Sequence, residues 1–492
     1  MAATAPRVTA IGTWLAALPD NKRALPIVMG LVAVLFVIAN IPWHLDNYDQ
    51  AKQAYVAFEI EQTGNWLFQT TPAGKSASKP PLMGWISAGF HFLGIPWDWA
   101  FRLPSLISAM AMASLLGLAG WRVFGRAGCV LALAAFGLNL LSPRLATLVR
   151  TDMLLAFFIF VPGWIIYLKL RSPSPWTLGE RVAFVAAMAG ALLTKGPVIY
   201  AFLLPGLVAA AFLIKDSDRR KMLWSGWLPW ILPLAVFLCW GIAGLLADSA
   251  FYEDVVVREL LSRFQEGSRS DERAQSWWFY FPHLIHKFAP WSLFIAAAFI
   301  LSKTLRKMVK SRPELLWCVL WVVGGLVVMT LIPAKRVDRI YPLIPPLCLL
   351  VVEIAVTLRT LRWSRMATGA CVIAGAGFSG GYFIGLIPLS ISQKANGVVA
   401  LAEAVDAVTT ANPGVPLYLV RARDEGLLIY LQTQRFTSTS EFEKAWDSGS
   451  PGFFLISNRM QERFSDTLAS GEVVLDRQLM HKNEKGYRLY KR

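Results

Sequence analysis

An acidic residue stands near the start of the first polar segment of the chain, just after an apolar run over residues 24–41. The segment reads Asp46-Asn-Tyr-Asp49-Gln-Ala-Lys52. A carboxylate beside an apolar segment has reduced hydration and a raised proton affinity, and these properties suit Asp49 to general-base catalysis. Asp is also a common N-cap residue, so Asp49 could instead cap a helix over residues 50–62. The two roles are compatible, and the residues leave both open.

Two more ionisable residues lie where apolar runs begin or end. Asp152 follows Arg150 at the start of the run 153–168, where it could cap the helix while Arg150 balances its charge. Lys195 stands in Thr194-Lys195-Gly196-Pro197, an abrupt junction between two apolar segments. An ionisable group at such a position is costly unless it has a partner or a function. The alternative is that the Lys195 side chain extends to the surface of the apolar layer.

Cationic residues recur beside aromatic side chains in the later polar segments. Arg263 could hold a phosphate through two parallel hydrogen bonds. The run Trp277-Trp278-Phe279-Tyr280 has the composition of an aromatic belt at a membrane interface, which is its simpler explanation. The segment Lys335-Arg336-Val-Asp338-Arg339-Ile-Tyr341 adds further cations. With Lys79 and Lys195, these residues predict a site for a phosphate headgroup, and charges solvated in loops are the alternative.

The elements that position these residues are predicted to be membrane helices. Of the 492 residues, 55% are hydrophobic and only 16% are charged, against roughly 25% charged in an average soluble domain. The 48 Lys and Arg exceed the 32 Asp and Glu by 16. In a membrane protein such an excess is explained by basic cytoplasmic loops and by contact with anionic lipid headgroups, so we expect no nucleic acid partner. We therefore expect an all-α polytopic membrane protein. Its apolar runs cover residues 24–41, 81–94, 103–121, 128–142, 153–168, 182–194, 197–214, 224–247, 289–302, 315–332, 340–357 and 367–390.

The basic connectors between the runs assign each run a direction across the membrane. They are residues 121–126, 169–181, 215–221, 303–312 and 358–365. Cationic connectors are usually cytoplasmic. If all twelve runs crossed the membrane, the connectors would lie on the outer side, so one run must not cross if all five connectors and the N-terminus are cytoplasmic. The run 81–94 is too short to span and follows Lys79-Pro80, so we expect it to lie on the outer surface. About eleven transmembrane helices remain.

This layout predicts three regions. Residues 1–23 form a cytoplasmic N-terminus, and residues 24–390 form a transmembrane domain whose outer loops 42–102 and 248–288 carry the candidate chemistry. Residues 391–492 are expected to form a small extracytoplasmic α/β domain. Its strands are predicted at 415–421, 452–457, 472–476 and 486–490, and its helices at 397–410, 424–431 and 460–468.

No metal or other cofactor is expected. The five cysteines all fall within apolar runs, which leaves no CxxC metal motif. His283 and His286 are three residues apart but lack a third ligand. The outer loops contain no Asp-x-Asp pair that would bridge a metal to a nucleotide-sugar.

A set of short motifs follows in a fixed order between about residues 24 and 358. They are Asp49-Gln50-Ala51-Lys52-Gln53-Ala54, Gly64-Asn65-Trp66, Lys79-Pro80-Pro81-Leu82, Arg102-Leu103-Pro104-Ser105, Thr151-Asp152-Met153, Leu193-Thr194-Lys195-Gly196-Pro197, Arg263-Phe264, Trp277-Trp278-Phe279-Tyr280-Phe281-Pro282 and Pro290-Trp291-Ser292. This ordered set resembles the superfamily of bacterial aminoarabinose transferases and protein O-mannosyltransferases, membrane glycosyltransferases of the GT-C type with lipid-linked donors. The chain departs from the pattern at Gln50, usually acidic, and at Lys52, usually an arginine with bidentate geometry.

The resemblance implies a sugar donor carried on a polyprenyl monophosphate and used at the periplasmic face of the bacterial inner membrane. Asp49 would be the catalytic carboxylate that activates the acceptor, and Asp152 would support the second carboxylate position. Lys79 and Arg263 would hold the donor phosphate, with help from Lys195 and Lys335. Further substrate contacts would come from Lys52, Arg339, Tyr341, Trp277 and Tyr280.

The predicted activity is that of an inverting glycosyltransferase acting on a cell-envelope acceptor. Lipid A or lipopolysaccharide is the favoured acceptor, and protein hydroxyls are the second choice. The partners would be the polyprenyl-phosphate sugar, the envelope lipid or glycan acceptor and membrane lipids. A transporter of an anionic envelope lipid would also contain cations and apolar runs. Transporters show inverted repeats and ionisable groups near the membrane midplane, and neither is evident in this sequence.

Overall fold

The chain forms two compact units. The computed structural model describes residues 5–45, 48–72, 74–77, 79–248, 250–257, 274–395, 397–420, 424–478 and 486–492. The helical unit comprises Met1–Ala39, Ser78–Met83 and Arg102–Ile384, and the mixed unit comprises Asn40–Ala77, Gly84–Phe101 and Gly385–Arg492. The mixed unit thus joins most of the predicted loop 42–102 to the C-terminal region, whereas the sequence places them in different domains.

Helices dominate the described residues, as predicted, because an apolar segment in a membrane must satisfy its backbone polar groups internally. The first are α1 (Ala5–Ala17), α2 (Ala24–Ile38), α3 (Tyr48–Thr63), α4 (Leu82–Phe92), α5 (Trp97–Ala100), α6 (Leu103–Gly137), α7 (Ser142–Ala146), α8 (Thr151–Arg171), α9 (Leu178–Lys195), α10 (Val198–Leu213), α11 (Ser217–Met222) and α12 (Leu228–Ala247). They are followed by α13 (Tyr280–Lys287), α14 (Trp291–Leu301), α15 (Lys303–Ser311), α16 (Pro313–Leu331), α17 (Ile344–Thr357) and α18 (Arg362–Lys394). A 3-10 turn over Val337–Leu343 leads into α17.

Helix α6 contains a sharp bend that divides it into two arms. The arms correspond to the predicted apolar runs 103–121 and 128–142. The backbone leaves helical geometry at Phe124 and Gly125, and Gly125 has a φ of 58°, a conformation that favours glycine. The arms pack against each other so closely that a Cβ on Gly120 would lie 2.2 Å from the carbonyl oxygen of Gly128. The two runs therefore remain two separate helical segments.

Six helices among the described residues are long and apolar enough to cross a membrane, or eight if each of two bent helix pairs counts as one crossing. The six are Leu103–Gly137, Thr151–Arg171, Leu228–Ala247, Pro313–Leu331, Val337–Thr357 and Arg362–Ser392. The 21 residues of α8 extend about 32 Å at 1.5 Å per residue, close to the thickness of the hydrocarbon layer. The architecture is that of a polytopic membrane protein.

A buried ion cluster joins helix ends at the C-terminal end of α8. The fully buried carboxylate of Glu353 in α17 pairs with the guanidinium groups of Arg171 and Arg312, each at 2.6 Å. The hydroxyl of Tyr167 donates to the same carboxylate. Arg171 and Arg312 belong to two of the basic connectors, so these connectors meet at one end of the helical unit, as the assignment of sides requires.

The C-terminal part of the mixed unit contains a four-stranded sheet with the order β1-β2-β4-β3. The strands are β1 (Leu417–Val420), β2 (Phe453–Ser457), β3 (Glu472–Gln478) and β4 (Gly486–Lys491), where β1 is parallel to β2 and β4 is antiparallel to β2 and β3. All four overlap predicted strands. The helices are α19 (Val398–Thr410), α20 (Glu425–Tyr430), α21 (Thr439–Asp447), α22 (Asn458–Arg463) and α23 (Ser465–Leu468). The sequence prediction lacks α21, although Ser438 and Glu441 form a capping box at its start.

Candidate active site

The first turn of α8 carries a carboxylate that is paired through both of its oxygens. Asp152 is buried, and its Oδ1 lies 2.6 Å from Nζ of Lys195 while its Oδ2 lies 3.1 Å from Nε of Arg150. Lys195 is the last residue of α9, and Gly196, with a φ of 71°, turns the chain directly after it. Lys195 therefore has the ionic partner that a charged residue between two apolar segments was expected to need.

Asp152 is not an N-cap, so the capping alternative drawn from the sequence is wrong for this residue. α8 begins at Thr151 with the extended Arg150 as its N-cap, and α3 begins at Tyr48. Asp152 and Asp49 each lie inside the first helical turn, where a negative charge still interacts favourably with the helix dipole. The oxygens of Asp152 accept from Lys195 and Arg150, and these side chains take the place of the backbone N–H groups that a cap would bind.

Asp338 extends this cluster, and sequence reasoning assigned it no role. Its Oδ2 lies 2.6 Å from Nη1 of Arg150 and 4.0 Å from Nη2 of Arg336. Arg150 thus bridges Asp152 and Asp338, which ties the 3-10 turn before α17 to the start of α8. The sequence feature that could have identified Asp338 is its position inside the cationic run 335–339, because an acidic residue there commonly pairs with a neighbouring cation.

The Arg-Leu-Pro-Ser motif at the start of α6 shapes the segment that leads to Arg150. The buried Arg102 donates from Nη1 to the carbonyl oxygen of Thr147 at 2.9 Å. Oγ of Ser105 lies 2.8 Å from the carbonyl oxygen of Leu148 and 3.2 Å from that of Arg150. The motif therefore fixes the backbone from which the Arg150 side chain extends to Asp152.

Lys79 belongs to the same cluster. It lies close enough to Asp152 for its positive charge to act on that carboxylate. Arg150, Lys195, Arg336 and Lys79 supply four positive charges against the two negative charges of Asp152 and Asp338, so the group carries excess positive charge. The structure thus brings Lys79 and Lys195, two of the predicted phosphate ligands, to the same carboxylate.

The second group of predicted cations lies around the 3-10 turn. Lys335 is buried and donates from Nζ to the carbonyl oxygen of Gln275 at 3.0 Å, and burial lowers the pKa of its ammonium group. Arg339 donates to the carbonyl oxygen of Ala334. The buried Tyr341 places its hydroxyl 3.3 Å from the sulfur of Met153, the residue after Asp152.

The aromatic candidates differ sharply in exposure. Trp277 is 69% exposed, which fits the interfacial belt that is its simpler explanation, whereas Tyr280 is fully buried at the start of α13. Arg263, predicted to hold the phosphate, lies outside the described residues. Their roles toward a substrate stay predictions.

Asp49 and Lys52 lie in the mixed unit, on α3. Both side chains are half-buried and three residues apart, a spacing that places them on the same face of the helix. α3 therefore presents a carboxylate and an ammonium group together in its first turns. Gln50, which departs from the superfamily's acidic residue, is buried.

The cations around Asp152 retain the capacity to bind an anion. An ammonium group carries three donor hydrogens and a guanidinium carries five, and the ion pairs with Asp152 and Asp338 use only part of them. The carboxylates hold Lys195 and Arg150 in fixed positions, so a phosphate would meet preorganised donors. The arrangement suits recognition of a phosphate headgroup at the ends of membrane helices.

Comparison with known sequences supports the resemblance, although no protein-family model matches the chain. The chain is 26% identical over 310 residues to an undecaprenyl phosphate-alpha-4-amino-4-deoxy-L-arabinose arabinosyl transferase of Shewanella sediminis, a match covering 62% of this chain and 55% of the relative. It is 26% identical over 324 residues to the transferase of the same name from Pseudomonas savastanoi pv. phaseolicola, covering 62% and 56%. The chain spans about half the length of the curated relatives that it matches.

Comparison with solved structures shows the same fold over nearly the whole chain. The crystal structure of ArnT from Cupriavidus metallidurans bound to undecaprenyl phosphate superposes with a TM-score of 0.71 at 19% identity, covering 94% of this chain and 97% of that chain. The archaeal oligosaccharyltransferase AglB from Archaeoglobus fulgidus superposes with a TM-score of 0.51 at 11% identity, covering 90% and 70%. The chain thus shares the fold of these two proteins. Its resemblance to the aminoarabinose transferase superfamily is confirmed.

Proposed function

We propose that the chain is an inverting glycosyltransferase that moves a sugar from a polyprenyl monophosphate to a cell-envelope acceptor. The observation that carries this proposal is the cluster of Lys79, Lys195 and Arg150 around the buried Asp152, in a fold shared with a transferase bound to undecaprenyl phosphate. The names of the sequence relatives make undecaprenyl phosphate-linked 4-amino-4-deoxy-L-arabinose the first donor to test. Lipid A or lipopolysaccharide is the first acceptor to test, and protein hydroxyls are the second.

The proposed reaction is a single displacement at the anomeric carbon. An acceptor oxygen forms the new bond to that carbon while the bond to the phosphate oxygen breaks, and its electron pair leaves with the polyprenyl phosphate. A single displacement inverts the anomeric configuration. If the acceptor is a hydroxyl, its proton passes to the carboxylate of Asp49.

Cations stabilise this reaction because the leaving phosphate gains a negative charge as the sugar departs. Lys79, Lys195, Arg263 and Lys335 are the proposed phosphate ligands, and their positive charges would stabilise the transition state without a metal ion. Asp152 would act by orienting Lys195 and Arg150. Lys52, Arg339, Tyr341, Trp277 and Tyr280 are proposed as further substrate contacts.

The proposed topology has eleven crossings in the bacterial inner membrane. They would be α2, the two arms of α6, α8, α9, α10, α12, α14, α16, α17 and α18. The meeting of Arg171 and Arg312 at Glu353 supports a cytoplasmic location for that end of the unit. The N-terminus would then be cytoplasmic, and the start of α8 and the C-terminal region would be periplasmic.

The proposal is tested by mass spectrometry of envelope lipids and glycans from a deletion strain and from the same strain carrying the wild-type gene. The expected result is loss of one sugar mass from a defined acceptor on deletion and its return on complementation. An unchanged glycan profile with one lipid accumulating on one leaflet would contradict the proposal and favour a transporter. The mass and the acceptor would also identify both substrates.

Ser105 supplies a prediction about the scaffold of the site. Ser105→Ala removes the donor to the carbonyl oxygens of Leu148 and Arg150, and we expect it to lower the free energy of unfolding by about 1 kcal/mol. Because Arg150 is then held less firmly, transfer should slow by about fivefold. The matched control is Ser108→Ala, because Ser108 bonds only to Pro104 one turn earlier among the contacts described for it. Thermal midpoints and initial transfer rates of the purified variants check this expectation. Equal rates for the two variants would show that Ser105 does not set the position of Arg150.

A further inference from the structure

Tyr430 in α20 contacts the segment that precedes Asp49. Its phenolic oxygen accepts a hydrogen bond from the backbone N–H of Leu45 at 2.8 Å, across 385 residues of sequence. Leu45 comes four residues before Asp49, and α3 begins at Tyr48. The bond therefore holds the backbone at Leu45, four residues before Asp49 in the sequence.

α20 also packs directly against the first turns of α3. Gly426 permits this close approach, because a Cβ at this position would lie 3.2 Å from the carbonyl oxygen of Leu45 and 3.8 Å from Cβ of Ala51. Ala51 and Ala54 are buried, three residues apart on a face of α3 that points away from Asp49, and their small side chains let another segment pack closely there. The position of α3 is thus set by contact with α20 on both sides of Asp49 in the sequence.

A second tyrosine ties α3 to the segment after α20. The hydroxyl of Tyr55 donates to the carbonyl oxygen of Gln434, and Nε2 of Gln434 donates to the carbonyl oxygen of Gln62 at 3.3 Å. Burial, with the negative charges of Glu59 and Glu425, raises the pKa of Tyr55 to about 12. Tyr55 therefore remains a hydrogen-bond donor at physiological pH.

α20 is itself held by the C-terminal sheet. The buried hydroxyl of Tyr487 in β4 donates to Oδ2 of Asp424 at 2.7 Å, and Asp424 is the N-cap residue of α20. α3 is held independently at its far end, where the two oxygens of Glu61 lie 3.1 Å from Nε2 of His91 and from Nε1 of Trp97. A set of contacts thus leads from the sheet through α20 to Leu45 and α3.

We propose that Tyr430 is a positioning residue for Asp49, and that the C-terminal α/β region aligns the catalytic carboxylate. This inference rests on the proposed function and deepens it. A general base must lie within hydrogen-bond reach of the proton that it removes, and small displacements of such a group reduce the rate steeply. Tyr430 acts on the reaction only through Leu45 and α3 and not by contact with substrate.

The test is Tyr430→Phe in the full-length protein, which removes the acceptor for Leu45 N–H and keeps the ring. We expect kcat to fall about tenfold while KM for the donor stays within about twofold of the wild-type value. Tyr418→Phe is the matched control, because it removes a hydroxyl from the same region while its ring remains stacked on Phe454. This control should keep the wild-type kcat. A donor KM that rises in Tyr430→Phe with unchanged kcat would overturn the inference.

A double-mutant cycle with Asp49→Glu separates positioning from general support of the fold. The longer side chain of glutamate already displaces the carboxylate, so adding Tyr430→Phe should then cost less than about threefold in kcat. If the two losses multiply fully, Tyr430 acts independently of Asp49 and the inference is wrong.

Hydrogen–deuterium exchange gives a readout that does not depend on turnover. Backbone amides in the peptide over residues 44–55 should exchange faster in Tyr430→Phe than in the wild type or in Tyr418→Phe. Faster exchange in a protein that transfers no sugar would support the positional contact and overturn the proposed function. Unchanged exchange together with unchanged kcat would overturn the inference and leave the proposed function intact.

Discussion

Asp49→Asn should lower sugar transfer by about a thousandfold while the protein still inserts and folds. The amide keeps the size and polarity of the side chain but cannot remove a proton from an acceptor hydroxyl. Asp49 is half-buried in the first turn of α3, and because asparagine has nearly the same shape, the substitution changes the packing little. Initial rates of transfer by purified protein, with a polyprenyl-phosphate sugar as donor, measure the effect, and KM for the donor should change little.

Asp98→Asn is the matched control for this substitution. Asp98 is exposed and also lies in the first turn of a helix of the mixed unit, α5, so the same chemical change occurs in a similar local setting. Its transfer rate should equal that of the wild type. A wild-type rate in Asp49→Asn would exclude Asp49 as the base.

The size of the Asp49 effect also reports on the acceptor. A phosphate acceptor is already ionised near neutral pH and needs no general base, so the loss in Asp49→Asn would be smaller with it than with a hydroxyl acceptor. Measuring the same variant with both kinds of acceptor therefore distinguishes proton removal from orientation of the acceptor. A general loss of folding would reduce both reactions equally.

Much of the helical fold could be predicted because apolar runs report directly on membrane helices. Each predicted run overlaps a helix, and the short run 81–94 is the helix α4. The reversal inside α6 also agrees with two predicted runs, since Gly125 supplies the backbone conformation that the turn needs. Helix starts were less predictable, because at α8 the extended residue is Arg150 and not Asp152.

Ion pairs between side chains were predictable only where a charged residue lies between apolar segments and therefore needs a partner. Lys195 needed a partner because it lies between apolar segments, but nothing in the sequence identified Asp152, 43 residues earlier, as that partner. The contact between Arg150 and Asp338 spans 188 residues, and sequence patterns carry no information on such a distance. The packing of α20 on α3 was unpredictable for the same reason, because it depends on the tertiary fold of two segments far apart in the sequence.

The pair formed by Lys195 and Asp152 gives the second large expected effect. Lys195→Met should reduce transfer by about a hundredfold, because it removes a fixed cation from the charge that develops on the leaving phosphate. It should also lower the free energy of unfolding by about 3 kcal/mol, since the buried Asp152 loses the ammonium group at 2.6 Å. The single variant therefore cannot separate a role in binding phosphate from a role in the fold.

The double variant Lys195→Met with Asp152→Asn makes that separation. Removing both charges together relieves the unpaired carboxylate, so the thermal midpoint should recover toward the wild-type value. Transfer should stay as low as in Lys195→Met, because the cation is still missing. Recovery of both stability and transfer would show that Lys195 serves only to neutralise Asp152.

A second lysine–carboxylate pair in the helical unit provides the control. Lys169, in the last turn of α8, is buried and lies 2.7 Å from Glu180, whereas Asp152 lies in the first turn of the same helix. The 17 residues between Asp152 and Lys169 correspond to about 26 Å along the axis, so Lys169→Met removes a buried, paired lysine far from the proposed phosphate site. This variant should lose stability but retain its transfer rate per folded molecule. An equal loss of transfer in Lys169→Met and Lys195→Met would attribute both losses to the fold and contradict a phosphate-binding role for Lys195.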